Sequence, residues 1–357
     1  MTRIVDLSKC QRVLVTKLRH HGDVLLSSPV FQVLKNHFPH LEVDALVYQD
    51  TAPMLAGHPA ISEMFCIDKA WKKCGVIGHL KAELALIGQL KERQYDLVIN
   101  LTENWRGAWL SRLLKPRYAV VRKYSSRGTK LWKNSFTHHY PSPVGNRRHT
   151  VDMHLDALRH IGIQPSLEEV ALVLAVDDLD RQKVIDKWPR FEGYKKVVLV
   201  HPTSRWLFKC WQVEKVAAVI DFLVAEGHEV VVTAAPVDKE MRMVEDILQL
   251  TNGKVTNLAG KLTLKQLAAA IGNADLFVGV DSVPMHIAAA MQTPAVALFG
   301  PSGDIEWGPW RSPARVITTD FSCRPCGLDG CGGSKVSDCL TSISVQRVCD
   351  ASQELLI

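Results

Sequence analysis

No run of about eighteen uninterrupted apolar residues occurs in the 357-residue sequence, so a membrane-spanning helix is not expected. The opening segment, MTRIVDLSKCQRVLVTK, is broken by Asp6, Lys9 and Arg12 and lacks the apolar core of a signal peptide, which points to a cytoplasmic location. No G-x-G-x-x-G follows an apolar strand, and this argues against a nicotinamide dehydrogenase. Helix-turn-helix, zinc-finger and RNP signatures are missing, so nucleic acid is not the expected partner. Strong internal repeats and low-complexity tracts are also absent. One absence is local. Residues 105–150 contain no Asp or Glu but eleven Arg and Lys: Arg106, Arg112, Lys115, Arg117, Arg122, Lys123, Arg127, Lys130, Lys133, Arg147 and Arg148. With nothing to offset it locally, that charge implies an anionic partner: a nucleic acid, a phosphorylated substrate or an acidic membrane surface. Trp105, Trp109, Tyr118, Tyr124 and Trp132 are interleaved with it, which suits a membrane interface or a sugar platform. A nucleic-acid-binding protein using residues 105–150 is therefore the alternative from another functional class.

What is present reads as a soluble α/β protein. Apolar residues make up 47% and charged residues 22%, and the length suits two domains. Short apolar strands are expected at 12–16, 42–47, 63–67, 96–100 and 119–121, with amphipathic helices at 24–37, 76–93 and 151–161. Residues 134–150, rich in His, Pro and Gly, read as a loop. A linker is expected within 165–189. The alternation then restarts, with strands at 196–201, 229–233, 255–258, 275–280 and 295–299 and helices at 211–227, 239–250, 264–271 and 283–291. Two such series predict two Rossmann-like doubly wound parallel sheets facing a cleft. The domains fall at 1–170 and 171–341, and the tail 342–357 is a helix that could pack on either domain, the N-terminal one included.

Ligands of such sheets sit beyond the carboxyl ends of the strands, so the corners there are the places to search. In "VLVTKLRHHGDVLL", Gly22 permits a tight turn of positive φ, and Asp23 opens a helix beside Arg19, His20 and His21. Asp23 is either a helix N-cap or a general base for an attacking hydroxyl. In "VVLVHPTSRWLFKCW", Thr203, Ser204, Arg205 and Lys209 at a strand end are either an oxyanion cradle or a polar loop whose Ser or Thr caps the helix from Trp211. In "VGVDSVPMHIAAAM", Ser282 is an N-cap, Pro284 fits the first turn, and the helix start favours an anion. Asp281 would be repelled by phosphate and suits sugar or ribose hydroxyls. His286 either reaches a ribose or phosphate or is simply packed.

Together "GDVLLSSPVFQVLK", "LVHPTSRWLFKCW", "LAGKLTLKQLAAAI" and "VGVDSVPMHIAAAMQTPAVALFGP" resemble the ADP-heptose:lipopolysaccharide heptosyltransferases of glycosyltransferase family 9, in order and over nearly the whole chain. "INLTENWRGAWLSRLLK" looks closest to the branch acting third on the core. The resemblance implies a GT-B fold and inverting transfer of L-glycero-D-manno-heptose from ADP-heptose to the second heptose of the lipopolysaccharide inner core, with no required metal. It makes Asp23 the catalytic base, kept ionised by Arg19, His20 and His21. Thr203, Ser204 and Lys209 match diphosphate positions, and Asp281, Ser282 and His286 surround the sugar and adjoining phosphate. Asp238 or Glu240 would hold the ribose, and Lys261 would lean toward the nucleotide. Arg19, His20, Lys72, Lys73 and Arg127 are the basic residues offered to the anionic acceptor, at the cytoplasmic face of the inner membrane, where contact would be peripheral. One departure is Val283, where many members have glycine. A family 9 transferase using a different acceptor or nucleotide sugar is the nearest alternative.

Nine cysteines are expected to be mostly reduced in a cytoplasmic chain. Cys323, Cys326, Cys331 and Cys339 have the ligand number and first spacing of a structural zinc site, with unliganded thiols as the alternative.

Overall fold

The near-continuous apolar runs become buried parallel strands, as expected where helices cover both faces of a sheet. A computed structural model describes residues 5–142, 147–189 and 193–357, and the chain divides into two units, Met1–Ala175 and Val176–Ile357. In the first, β1 (Arg12–Thr16), β2 (Glu42–Tyr48), β3 (Met64–Ile67), β4 (Leu97–Asn100), β5 (Tyr118–Arg122) and β6 (His138–Tyr140) pair in the order β3-β2-β1-β4-β5-β6. In the second, β7 (Val197–His201), β8 (Glu229–Val232), β9 (Thr256–Asn257), β10 (Leu276–Val280), β11 (Ala295–Leu298) and β12 (Ala314–Ile317) pair as β12-β11-β10-β7-β8-β9. Read from the opposite edge, the second order repeats the first. Each unit is thus a doubly wound sheet whose order reverses once, between β1 and β4 and between β7 and β10.

Several local expectations change. The helix expected over 24–37 is two helices, His21–Leu25 and Ser28–His37. Pro29 has no N–H to continue the first helix but fits the first turn of the second, and the Ser27 hydroxyl donates to the Val24 carbonyl at 2.7 Å across the break. The loop read over 134–150 includes edge strand β6, and residues 143–146 of it lie outside the described residues. The linker read over 165–189 contains the helix Asp178–Lys187, which packs on the helix Leu264–Gly272 of the second unit. Lys187 fixes that contact by donating to the Lys261 carbonyl at 2.6 Å and to the Gln266 side chain at 2.8 Å. Strand β12 escaped the sequence reading because it is short, Arg315 interrupts its apolar residues, and its middle residues are exposed. The terminal helix Val345–Leu356 lies on the helix Val213–Ala225 and on β10, β11 and β12, so it packs within the second unit.

At the amino ends of the first sheet, Asp44 of β2 has no exposed surface. It accepts hydrogen bonds from Arg93 Nε at 2.8 Å, Arg93 Nη2 at 3.1 Å and the Tyr95 hydroxyl at 2.8 Å. This clasp ties the chain after the helix Gly75–Glu92 to the sheet. Asp44→Ala would leave the Tyr95 phenol without its acceptor and the Arg93 guanidinium with only the more exposed Glu42 and Glu63. It should cost about 1–3 kcal/mol in urea unfolding. A loss below about 1 kcal/mol would mean that the clasp is worth no more than a surface pair.

Candidate active site

The β1 strand does not end its extended course at Thr16: the Lys17 N–H still bonds to the Leu46 carbonyl, at 3.0 Å. That register carries the Lys17 side chain into the protein at the point where the sheet order reverses. Its buried ammonium lies 3.4 Å from Asp23 Oδ1, donates to the Leu101 carbonyl at 3.2 Å, and sits 2.9 Å from Nε2 of His154. Nδ1 of His154 is 3.1 Å from the Leu26 carbonyl, so Nδ1 carries the proton and Nε2 accepts from Lys17. Burial, and then the Lys17 charge, hold His154 well below the usual histidine range. Burial also lowers Lys17, to about 8, against the opposing pull of the Asp23 carboxylate.

Asp23 is the third residue of the helix His21–Leu25, whose N-cap is His20, so the capping alternative is overturned. Gly22 lies in the same helix and outside the positive-φ residues, so the corner is a helical start and not the tight turn expected. The Asp23 side chain keeps 18% of its surface exposed: one side meets solvent and the other meets Lys17. The cation in contact with it is therefore Lys17, which corrects the expectation of Arg19, His20 and His21. His21 Nε2 is instead engaged with the Asp50 carbonyl at 2.8 Å, while Arg19 and His20 are exposed. Both Lys17 and His154 escaped the sequence reading. The signals were there: Lys17 extends a buried strand, and His154 shares the inward face of its helix with Val151, Leu155 and Leu158.

The matching reversal in the second unit gathers most of the expected donor residues. At the end of β7, His201 is buried with Nδ1 2.9 Å from the Thr233 hydroxyl, and burial drops its pKa to about 3. Thr203, fully buried, donates its hydroxyl to Glu240 Oε2 at 2.6 Å, and the Ala235 N–H reaches the same oxygen at 3.4 Å. Glu240 is thus turned inward, and Asp238, one turn edge away, is exposed. The Ser204 hydroxyl accepts from the Trp206 N–H at 3.3 Å. Lys209 donates to Asp281 Oδ2 at 2.6 Å, joining the corners after β7 and β10. Ser282 holds the N-cap position of the helix Val283–Met291, but its hydroxyl makes no capping bond, and its buried oxygen has no hydrogen-bond partner among the described residues. His286 is buried one turn on. Lys261 is exposed, and its ammonium bonds the Asn257 carbonyl at 2.7 Å.

The acid-free basic segment is less naked than its sequence. Glu83 pairs with both terminal nitrogens of Arg106 at 2.7 Å, and Asp156 pairs with Arg148 at 2.7 Å. Arg127 lies over the rings of Trp105 and Trp132, at 5.9 and 5.5 Å, and donates to the Glu103 carbonyl at 3.3 Å. The acids Glu83, Glu103 and Asp156 come from outside residues 105–150 and offset Arg106, Arg127 and Arg148, which corrects for those three the reading that nothing offsets the charge. Lys72 and Lys73 are exposed on the turn Lys69–Lys73.

The zinc expectation is not met. Among the described residues no three His, Cys, Asp or Glu side chains are placed to hold one metal ion. Cys339 is buried on the short helix Asp338–Thr341, whereas Cys323 and Cys326 lie exposed in the preceding loop. Burial pushes the Cys339 thiol up.

Comparison with known proteins agrees with this fold. Residues 83–336 match glycosyltransferase family 9 (heptosyltransferase). Lipopolysaccharide heptosyltransferase 3 of Escherichia coli is 38% identical over 82% of this chain and 84% of its own. Lipopolysaccharide core heptosyltransferase OpsX of Haemophilus influenzae is 28% identical over 85% and 83%. A family 9 glycosyl transferase from Veillonella parvula superposes with a TM-score of 0.82 at 24% identity, covering 97% of both chains. The ADP-heptose lps heptosyltransferase II of E. coli superposes with a TM-score of 0.77 at 21% identity, over 97% of this chain and 98% of that one. Two six-stranded parallel sheets of repeated order and likeness to these structures make the fold GT-B. With a family match over most of the chain and a relative of this identity, the chain belongs to glycosyltransferase family 9, the heptosyltransferases.

Proposed function

We propose that this enzyme transfers L-glycero-D-manno-heptose from ADP-heptose, with inversion, to the second heptose of the lipopolysaccharide inner core, and that Asp23 is the general base. The observation that carries the reading is a half-open carboxylate pinned by a buried ammonium at the reversal point of the first sheet. The likeness to lipopolysaccharide heptosyltransferase 3 supports the acceptor. A structural neighbour, the E. coli heptosyltransferase WaaC with ADP, supports the donor.

In this reading the acceptor hydroxyl attacks the anomeric carbon from the face opposite ADP. Its proton passes to the exposed oxygen of Asp23 as the bond to the diphosphate breaks. Lys17 orients the carboxylate, and neutral His154 keeps the ammonium in place without adding a second charge. Lys209 and the Thr203 and Ser204 hydroxyls meet the diphosphate, whose leaving charge also suits the amino end of the helix Val283–Met291. The unsatisfied Ser282 hydroxyl, Asp281 and His286 surround the sugar and its phosphate. Glu240 positions Thr203, and the ribose contact falls to Asp238, with Lys261 beside the nucleotide. Arg19 and His20 meet the acceptor near Asp23, and Lys72, Lys73 and Arg127 add to the same positive surface. No cofactor takes part, and the lipid-anchored acceptor places the enzyme at the cytoplasmic face of the inner membrane.

Asp23→Asn should lower the rate on a core acceptor truncated at its second heptose by about 10²–10⁴-fold while ADP-heptose still binds, as read by mass spectrometry and calorimetry. Unchanged turnover would remove Asp23 from the chemistry. Lys209→Ala should weaken ADP-sugar binding by about 10–100-fold, the worth of one charge-assisted hydrogen bond, and ADP but not UDP should compete with the donor.

The Lys17 ammonium should titrate near 8 in lysine-labelled NMR spectra, and lower still in Asp23→Asn, where burial acts unopposed. Because its folded value lies below the ordinary 10.5, the unfolded chain binds the extra proton between about 8 and 10.5. Stability from this site therefore rises with pH across that window. Lys17→Met should abolish the rise, seen by urea unfolding at the two ends of the window.

A further inference from the structure

The helix Gly75–Glu92 buries only Leu86 and Leu90 fully, against Leu14, Leu46 and Phe65 of the first unit's core. Its outer side is apolar: Val76 is 86% exposed, Ile77 85%, Leu80 57% and Leu84 58%. At 100° per residue these four fall within an arc of about 100°, the width of a stripe that ordinarily faces a core. The neighbouring helix Trp105–Leu114 adds exposed Trp109 and Leu113, and the Arg106–Glu83 pair locks the two helices together.

The charges around this face are of one sign. Glu83 is neutralised by Arg106 at 2.7 Å, with His79 at 3.2 Å. Exposed Lys72 and Lys73 precede the first helix, and exposed Lys81 borders its apolar arc. Arg112, in the last turn of the second helix, donates to the Ser135 hydroxyl and not to a carboxylate. Two copies meeting through this face about a two-fold axis would bring these cations together without acids to answer them. An apolar stripe containing Trp and rimmed by Lys matches the boundary between anionic headgroups and acyl chains.

We infer that the joint outer face of the helices Gly75–Glu92 and Trp105–Leu114 docks on an anionic phospholipid bilayer. Val76, Ile77, Leu80, Leu84, Trp109 and Leu113 enter the acyl boundary, and Lys72, Lys73 and Lys81 lie against lipid phosphates. The inference deepens the reading of a lipid-anchored acceptor, but its evidence does not depend on that reaction.

The test is flotation of the full chain with acceptor-free vesicles of phosphatidylethanolamine and phosphatidylglycerol, beside vesicles of phosphatidylcholine alone. Wild type should float with the anionic vesicles, and less so as salt rises. The triple variant Val76→Ser, Ile77→Ser, Leu80→Ser should lose at least about tenfold in partitioning with its circular dichroism unchanged, since all three side chains are exposed. The variant should also keep wild-type turnover of a deacylated, soluble acceptor and lose turnover of the same core embedded in vesicles. Equal flotation of wild type and variant, or no flotation of wild type, overturns the docking face. So does a wild-type dimer in sedimentation that the variant dissociates, which would make a second copy the occupant. If neither acceptor is turned over while flotation still separates wild type from variant, the docking face stands and the transferase reading fails.

Discussion

A buried ammonium is tolerated only where acceptors surround it, and Lys17 finds three, each from a different part of the first unit. The Leu101 carbonyl follows β4, Asp23 belongs to the first helix after β1, and His154 lies on the helix Thr150–His160. The reversal of strand order between β1 and β4 leaves the space into which this side chain enters. Threonine and asparagine fix both strand ends beside it. The Thr16 hydroxyl donates to Asn100 at 2.7 Å, and the Leu18 N–H donates to the Thr102 hydroxyl at 2.9 Å. Gly107 lets the next helix approach Asn100, since a Cβ there would lie 2.5 Å from its side-chain oxygen. The carboxylate assigned to catalysis is thus held by the same contacts that close the carboxyl ends of the sheet.

The second unit solves the same topological problem with a different polar set. Its reversal point carries no buried lysine. Neutral His201 and Thr203 are each held by a side chain from beyond β8, Thr233 and Glu240. Lys209 bridges from the loop after β7 to Asp281 after β10. Thr203 and Glu240 satisfy each other, whereas the Ser282 oxygen has no hydrogen-bond partner among the described residues. One order of strands therefore yields a buried lysine–carboxylate pair in one unit and a lysine-bridged set of polar side chains in the other, because the residues following equivalent strands differ.

Charge shows how far neighbours in sequence differ from neighbours in space. Residues 105–150 have no acid of their own, yet Arg106, Arg127 and Arg148 meet Glu83, Glu103 and Asp156. Among the described residues, exposed Lys115, Arg117, Lys123, Lys130 and Lys133 of this segment form no ion pair, and neither do exposed Lys72, Lys73 and Lys81 on and beside the apolar helix. Composition marks a stretch of chain, whereas ion pairing in space decides which of its cations stay open to a partner.

By itself the sequence determined the alternation of strands and helices, both doubly wound units, and the corners where Asp23, Thr203, Lys209 and Asp281 stand. Periodicity and turn residues act over a few positions, and those features are local. Tertiary structure decided which corner residues meet: Lys17 with Asp23 and His154, Thr203 with Glu240, Lys209 with Asp281. It also gave edge strand β12 its pairing with β11. Those outcomes depend on distances between segments far apart in the chain, and these are set only when the sheets form and their buried polar groups find partners.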